Sequence, residues 1–373
     1  MTSLTSDLLA GGESPLEPPA LPLEDGWTLP ADWYTDPAVL SLEQERIFSR
    51  SWQYAGRAAL VAEPGCFFAT RAGHVPCVVV RGQDGILRAF VNVCRHRGHI
   101  VASEAGCRKT LQCPYHAWTY DLDGSLLRAP RAEREPGFDP GGFSLLPVSV
   151  DTWGPFVFVN PDPAADPLPE VLADLPGLVQ ESGVDLNAVR FHSRHEGGFR
   201  GNWKAALENY LECYHCAVAH PGFSKVIDVD PDEYLLRVEP TYLSQLGRAR
   251  EAALTGVRKG PYDPRGEIEQ AQFHLLFPNT TINIAPGFPN VAIERWVPDG
   301  VDSTIEVTDY FFSPEARDQQ IEEFIAFDTQ VADEDIALVA SVQTGLESGV
   351  VQQGRLMRES EQLIADFQRR VRD

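Results

Sequence analysis

The chain has 373 residues, 43% hydrophobic and 10% aromatic, enough to bury a large core and more than one average domain needs. Its 54 Asp and Glu against 31 Lys and Arg leave a formal charge of −23, a surface that repels phosphate backbones and argues against nucleic acid as a partner. No apolar run reaches the roughly 18 residues of a membrane-spanning helix, the N-terminal residues lack the basic-then-apolar order of a secretory signal, and seven irregularly spaced cysteines make no disulfide framework, so a reducing, cytoplasmic setting is expected.

Residues 1–25 are rich in Pro, Gly, Ser and Glu and read as a loose arm. In PAVLSLEQERIFSRSW, from Pro37 to Trp52, Leu40, Leu42, Ile47 and Phe48 fall at roughly helical spacing, which predicts a short amphipathic helix. From Trp52 to Asn160 short runs such as HVPCVVVRG, LRAFVNV and PFVFVN alternate with Gly, Pro and Asp-Gly turns, the pattern of a small antiparallel β domain. A Pro- and Asp-rich boundary, PDPAADPLPE, covers 161–170. Beyond it, NWKAALENYLECYHCAVAH (202–220) is helical in composition, and TTINIA, NVAIERWV and STIEVTDYFF read as strands. The segment from Pro314 to Asp373 reads as strongly helical. The expected fold class is α+β: an arm and helix over 1–51, a small antiparallel β domain over 52–160, and a larger domain over 161–373 with an antiparallel sheet flanked by helices.

Two short pieces of the β domain each offer one thiol and one imidazole. CRHRGH supplies Cys94 and His96, and after sixteen residues CPYHAW supplies Cys113 and His116. A Rieske [2Fe–2S] centre needs two thiolates on one iron and two imidazoles on the other, and this alternation delivers both pairs. A structural zinc is the competing reading, but the usual finger groups its Cys together and its His together. Trp118 reads as packing beside the loops. Cys66, Cys77 and Cys107 have no partner pattern and read as unpaired thiols.

A second constellation lies in ENYLECYHCAVAHPG, where His215 and His220 are candidate metal ligands. Two imidazoles and one carboxylate bind ferrous iron and leave positions open. Five positions of unbroken helix turn about 140°, a poor disposition for two ligands of one metal. Pro221 disfavours the α conformation at His220, so the helix is expected to carry His215 and to end before His220. For the carboxylate, Glu208 and Glu212 compete with the distant acids Asp333, Glu334 and Asp335 in VADEDIALVASVQTGL. His192, His195 and His274 are set aside as structural residues.

The pairing of CRHRGH with CPYHAWTYDLDG, followed by NWKAALENYLECYHCAVAHP, resembles the α subunits of Rieske non-haem iron oxygenases, from about Trp52 to the C-terminal helix. The resemblance implies a [2Fe–2S] cluster on Cys94, His96, Cys113 and His116, and Fe2+ on His215, His220 and Asp335. It implies that Glu212 is not a ligand but an acid bridging to the Rieske His116 of the neighbouring subunit in a head-to-tail homotrimer, and it sets Asn209 near the iron's open face. Electrons come from NAD(P)H through a separate flavin and iron–sulfur reductase, and no phosphate-cradling G-x-G-x-x-G follows a strand here.

Many members carry Asp at the bridging position, whereas Glu212 is similar to the branch that oxidises choline, carnitine and glycine betaine. A quaternary ammonium needs an aromatic cage, for which Phe277, Phe288, Trp296, Tyr310 and Phe312 are the candidates. The expected reaction is hydroxylation or N-demethylation of a quaternary or N-methylated amine. The alternatives are hydroxylation of an aromatic or heteroaromatic acid, and a Rieske electron carrier without oxygenase activity, for which the second constellation would be superfluous.

Overall fold

The computed structural model describes residues 21–255 and 260–373, so most of the arm expected over 1–25, with the region read for a secretory signal, lies outside the described residues. The front of the chain builds a seven-stranded antiparallel sheet in the order Gln53–Arg57, Phe156–Asn160, Pro147–Trp153, Leu87–Val91, Val75–Arg81, Cys66–Ala72, Gly106–Cys107. Period-two alternation divides its residues between two cores. Val78 and Val80 pack with Cys94, Cys113 and Tyr120, while Cys77 and Val79 pack with Phe68, Val148 and Val157. A small sheet of Leu111–Gln112, Thr119–Tyr120 and Leu126–Arg128 carries the second Cys/His loop.

Strand pairing sets Cys66 opposite Cys107, and the two form a disulfide. The expectation that both are unpaired thiols is thereby corrected. They stand 41 positions apart in the chain, and only the sheet register brings them together. Cys77 is buried and free, and burial raises its thiol to about 12, so it stays protonated.

The larger antiparallel sheet runs Arg190–Arg200, Ser303–Phe312, Asn290–Gly300, Thr280–Ile284, Gln270–Leu276, Tyr242–Arg248, Leu235–Val238. One face, with Ile282, Ile293 and Phe311, packs on Tyr54, Phe156 and Phe158 of the first sheet. The contact also has a buried polar anchor. Asp309 accepts hydrogen bonds from Tyr54 Oη at 2.5 Å and, in a two-pronged pair, from Arg194 Nε at 2.7 Å and Nη2 at 2.6 Å. The opposite face, with Ala292, Tyr310 and Phe312, is covered by Phe324 and Phe327 of the helix Asp318–Glu347.

The helices are shorter than their composition suggests. Pro37–Arg46 starts on Asp36, whose side chain accepts from the Ala38 N–H, and gives way to a tight turn at Phe48–Arg50. Its buried residues are Val39 and Glu43 rather than the predicted Leu40 and Leu42. Glu43 accepts from Lys204 Nζ at 2.6 Å and Trp203 Nε1 at 2.7 Å, so this helix docks on Trp203–Tyr210 through a buried ion pair. At the C-terminus the helical segment resolves into Asp318–Glu347 and Gln362–Arg372, separated by irregular chain.

Candidate functional site

The two Cys/His loops of the first domain close in the same way. The Gly98 N–H donates to the Cys94 carbonyl and the Ala117 N–H to the Cys113 carbonyl, each at 3.0 Å. Each cysteine N–H in turn donates at 2.8 Å, to the carbonyls of His99 and Trp118 respectively. This closure requires a left-handed residue, supplied by Gly98 (φ 75°) and Ala117 (φ 58°). Cys94 and Cys113 are buried free thiols, whereas His96 is exposed and His116 partly so. The imidazoles meet edge-on with centroids 4.5 Å apart, and Trp118 stacks on His96 at 5.0 Å. Tyr120 Oη lies 3.3 Å from Cys94 Sγ. Loss of solvent, then the neighbouring His96 and Arg97, lower the His116 pKa and favour the neutral ligand form.

The donor geometry discriminates between metals. Among the described residues one group of three or more His, Cys, Asp and Glu donors converges within 4.8 Å, and it is not this one. A tetrahedral zinc holds its donors within about 4 Å of one another. A thiol pair inside and an imidazole pair at the surface fit the two irons of a [2Fe–2S] cluster.

The converging group is His215, His220 and Asp335. The helix Trp203–Tyr210 begins on Asn202, whose side chain accepts the Lys204 N–H at 3.0 Å. It stops at Tyr210, so the single helix expected to carry His215 does not form. Glu212, beyond the helix end, accepts from the N–H groups of Tyr214 and His215 in the turn that leads into a second short helix, Cys216–Ala219. His215 and His220 flank that short helix, which frees both rings from the helical phase angle and lets their Nε2 atoms approach to 3.0 Å. Cys213 and Cys216 are joined by a disulfide beside His215, a second departure from a chain expected to hold no disulfide framework.

Asp335 arrives from the long helix. Phe324, Asp328, Val331, Asp335 and Val339 recur every three or four residues and form one stripe toward the sheet. Two hydrogen bonds set the phase: the Asn202 N–H donates to Gln343 Oε1 at 2.9 Å, and Asn209 Nδ2 donates to Asp335 Oδ1 at 2.7 Å. Gly201 permits the approach, since a Cβ there would meet Val339 at 2.4 Å. Asp333, rotated off the stripe, is exposed. Asp335 Oδ1 stands 2.8 Å from His220 Nε2 and 3.4 Å from His215 Nε2. With metal–ligand bonds of about 2.1 Å, ligands at right angles sit about 3 Å apart, so this triangle fits one face of an octahedral ion.

The outward nitrogens are also fixed. His220 Nδ1 lies 2.7 Å from Glu334 Oε2, and His215 Nδ1 is bonded to Glu212 Oε1. In the neutral ligand form each Nδ1–H can donate to its carboxylate, which turns Nε2 toward a metal. Burial alone would lower the His215 pKa, but Asp335 and Glu212 outweigh it and hold the group at about 9. The same two imidazoles, against the cost of burial, hold Asp335 at about 2. Glu208 does not reach the trio. It is half-buried, accepts from Tyr34 Oη at 2.6 Å and Gln368 Nε2 at 3.0 Å, and loss of solvent raises it to about 7.

The trio borders a cavity of about 200 Å3 between the inner sheet face and the long helix. Trp296 and Tyr310 line it, but Phe277, Phe288 and Phe312 do not. Phe277 packs toward Phe367, and Phe288 and Phe312 meet at a tilt and both pack edge-on against Phe324, behind the cavity wall. His195, set aside on the sequence, does line it, whereas His192 is exposed. His274 is buried between Ser244 and Gln272, and burial lowers it to about 3. Sequence reasoning missed Glu294, Glu306, Asp328, Tyr210, Tyr234 and Tyr262, all on the wall. Burial raises all three acids, Glu306 to about 7, and their mutual repulsion adds to this for Glu294 and Glu306. The available signal was strand parity, because Glu294 and Glu306 share a face with Trp296 and Tyr310.

A β domain with paired thiol and imidazole loops, set against a helix-covered sheet that gathers two imidazoles and a carboxylate, defines a Rieske-type terminal oxygenase. Residues 51–149 match the Rieske [2Fe-2S] domain and residues 186–373 match the ring hydroxylating alpha subunit (catalytic domain), so the chain belongs to the Rieske non-haem iron oxygenase α subunits. It is 34% identical to the carnitine monooxygenase oxygenase subunit of Escherichia coli, across 90% of this chain and 89% of that one. Identity to the chloroplastic choline monooxygenase of Spinacia oleracea is 33%, across 94% and 78%. The crystal structure of the quaternary ammonium Rieske monooxygenase CntA with L-carnitine superposes with a TM-score of 0.80 at 32% identity, covering 94% of this chain and 98% of that one. The family works with a Rieske cluster and a mononuclear iron, and both donor sets fit. Among the described residues no helix is long and apolar enough to cross a membrane.

Proposed function

We propose that this chain hydroxylates or N-demethylates a quaternary or N-methylated amine, as the terminal oxygenase of a system fed by a separate NAD(P)H-dependent reductase. The observation carrying this reading is that His215, His220 and Asp335 border a cavity walled by aromatic rings and carboxylates. Methylated ammonium groups offer no hydrogen bonds and are held by ring faces and fixed negative charge. The relatives named for carnitine and choline, and the related enzyme bound to L-carnitine, support the same class.

In this reading Cys94, His96, Cys113 and His116 hold the cluster, and His215, His220 and Asp335 hold the iron. When bound, the cluster supplies electrons and the iron supplies oxygen chemistry. The chain's own residues do the rest. Glu212 and Glu334 keep the two Nδ1 protons in place, and Asn209 occupies one lone pair of Asp335 Oδ1. Trp296 and Tyr310 orient the substrate and exclude water. One N-methyl C–H becomes C–OH, and the second oxygen atom of O2 leaves as water with two electrons and two protons consumed. The N–CH2OH product then loses a proton as its C–N bond breaks, releasing formaldehyde and a tertiary amine.

The remaining assignments follow from this role. The division is an arm and helix over 1–51, a Rieske domain over 52–160 and a catalytic domain over 161–373. The assembly is a cytoplasmic homotrimer in which Glu212 also bonds the partner subunit's His116; a stable, active monomer in solution would count against that bridge. The testing experiment supplies a surrogate reductase and follows NADH-coupled O2 uptake with formaldehyde release. Formaldehyde from quaternary amines supports the reading; phenols or ring diols from aromatic acids, without formaldehyde, overturn it.

A further inference from the structure

We propose that the cavity selects an organic cation that carries no carboxylate, with Glu294, Glu306 and Asp328 as the acidic wall that admits the ammonium and rejects zwitterions. The proposal rests on the reading above and narrows it to one charge class.

The three acids come from three elements and meet in one place. On neighbouring strands Glu294 lies opposite Thr308 and Trp296 opposite Glu306, so the two glutamates are diagonal neighbours on the cavity face. Asp328 comes down from the helix above and accepts from Tyr310 Oη at 2.6 Å. Their other partners are neutral: Thr281 Oγ1 donates to Glu294 Oε2 at 2.5 Å, the Asn283 side chain also hydrogen-bonds Glu294, and Thr308 Oγ1 donates to Glu306 Oε1 at 2.9 Å. Among the described residues none of the three is in an ion pair, and no Lys or Arg lines the cavity. Its cationic candidates are His195 and the two imidazoles already committed to the metal trio. Burial holds these acids toward their neutral form until a cation enters and stabilises the carboxylates, whereas a betaine would bring its own carboxylate against them with no guanidinium or ammonium to receive it.

A second observation points to a ligand. Gln245 and Tyr262 are 2% and 1% exposed, line the same cavity, and each has one polar atom without a partner, Gln245 Oε1 and Tyr262 Oη. Gln245 spends its amide N–H on the Tyr210 carbonyl at 2.6 Å, so its free oxygen can only accept. Buried acceptors of this kind are rarely left open. They suit a compact cation whose other end carries a hydroxyl or N–H donor, in keeping with a cavity of about 200 Å3, below the drug-sized range of about 300 Å3 and more.

The test uses the holoenzyme with a surrogate reductase and ligand pairs differing only in the acid: L-carnitine against its carboxamide, γ-butyrobetaine against its carboxamide, and glycine betaine against choline. Binding is measured by calorimetry and turnover by formaldehyde release and O2 uptake. The carboxylate-free member of each pair should be favoured about 100-fold in kcat/KM, the scale of one poorly screened like-charge contact. Glu294→Gln and Glu306→Gln should narrow that ratio about tenfold; a merely structural role would lower both members together and leave the ratio unchanged. Equal turnover within pairs overturns the charge selection and leaves amine oxygenation standing. Turnover of aromatic acids alone overturns the amine reading and this inference with it.

Discussion

Replacing Glu334 with Ala isolates the carboxylate that orients His220 without touching a metal donor. The pair is a charge-assisted hydrogen bond of 2.7 Å, with His220 2% exposed and the Glu334 side chain 27% exposed. Such bonds contribute about 1.5–3 kcal/mol, and the partial exposure of the acid argues for the lower end, about 1.5–2 kcal/mol. At about 1.4 kcal/mol per tenfold, mononuclear iron should be held about 10- to 30-fold more weakly. The substitution also removes an exposed hydrogen bond, Gln330 Nε2 to Glu334 Oε1 at 2.9 Å, so the helix should keep its stability. Glu334→Gln retains an acceptor oxygen and should recover part of the affinity. The assay is iron content after equilibration against a graded chelator, with the visible absorption of the Rieske cluster as internal control. Unchanged retention in Glu334→Ala, or parallel loss of cluster and mononuclear iron, would refute the reasoning.

Asp335→Ala should remove the mononuclear iron and O2 uptake while the cluster absorption persists; iron analysis beside the visible spectrum checks this. Lys204→Met leaves Glu43 buried without its cation and should cost about 3–5 kcal/mol in denaturant unfolding, part of which Glu43→Gln should restore in the double variant. Glu208 should make the fold less stable as pH rises. Its carboxyl titrates at about 7 in the fold against an ordinary 4.5, so between these values the folded chain holds the extra proton. The contribution present below the lower value is lost by the upper one, at most about 3 kcal/mol. Denaturant midpoints at about pH 5 and about pH 8 should differ by less in Glu208→Gln than in the parent chain.

The cluster loops were legible because each is a single contiguous turn. Cys94 with His96, and Cys113 with His116, are set by local backbone, and a left-handed residue at Gly98 or Ala117 closes each one. His215 and His220 were legible as a pair for the same reason, with Pro221 marking the end of regular helix. The break after Tyr210 was not. Composition favours helix through His220, and it is the Glu212 carboxylate competing for the N–H groups of Tyr214 and His215 that starts a new turn instead.

Strand parity puts Glu294 on the face of Trp296 and Glu306 on the face of Tyr310, and only the register between the two strands joins the pairs. Parity could not say which face holds the cavity, because the first sheet covers one side and the long helix the other. The resemblance pointed to Asp335, but spacing alone could not separate it from Asp333 and Glu334. That choice depends on the rotational phase of a 30-residue helix, set by burial of Phe324 and Val339 and by the bonds from Asn202 and Asn209. Cys66 and Cys107 likewise meet only through strand register. What the chain determined by itself was the chemistry that a few consecutive residues can assemble. What tertiary structure decided was every partnership across the sheet and helices, where position depends on packing of distant apolar surfaces and sequence neighbours carry no record of it.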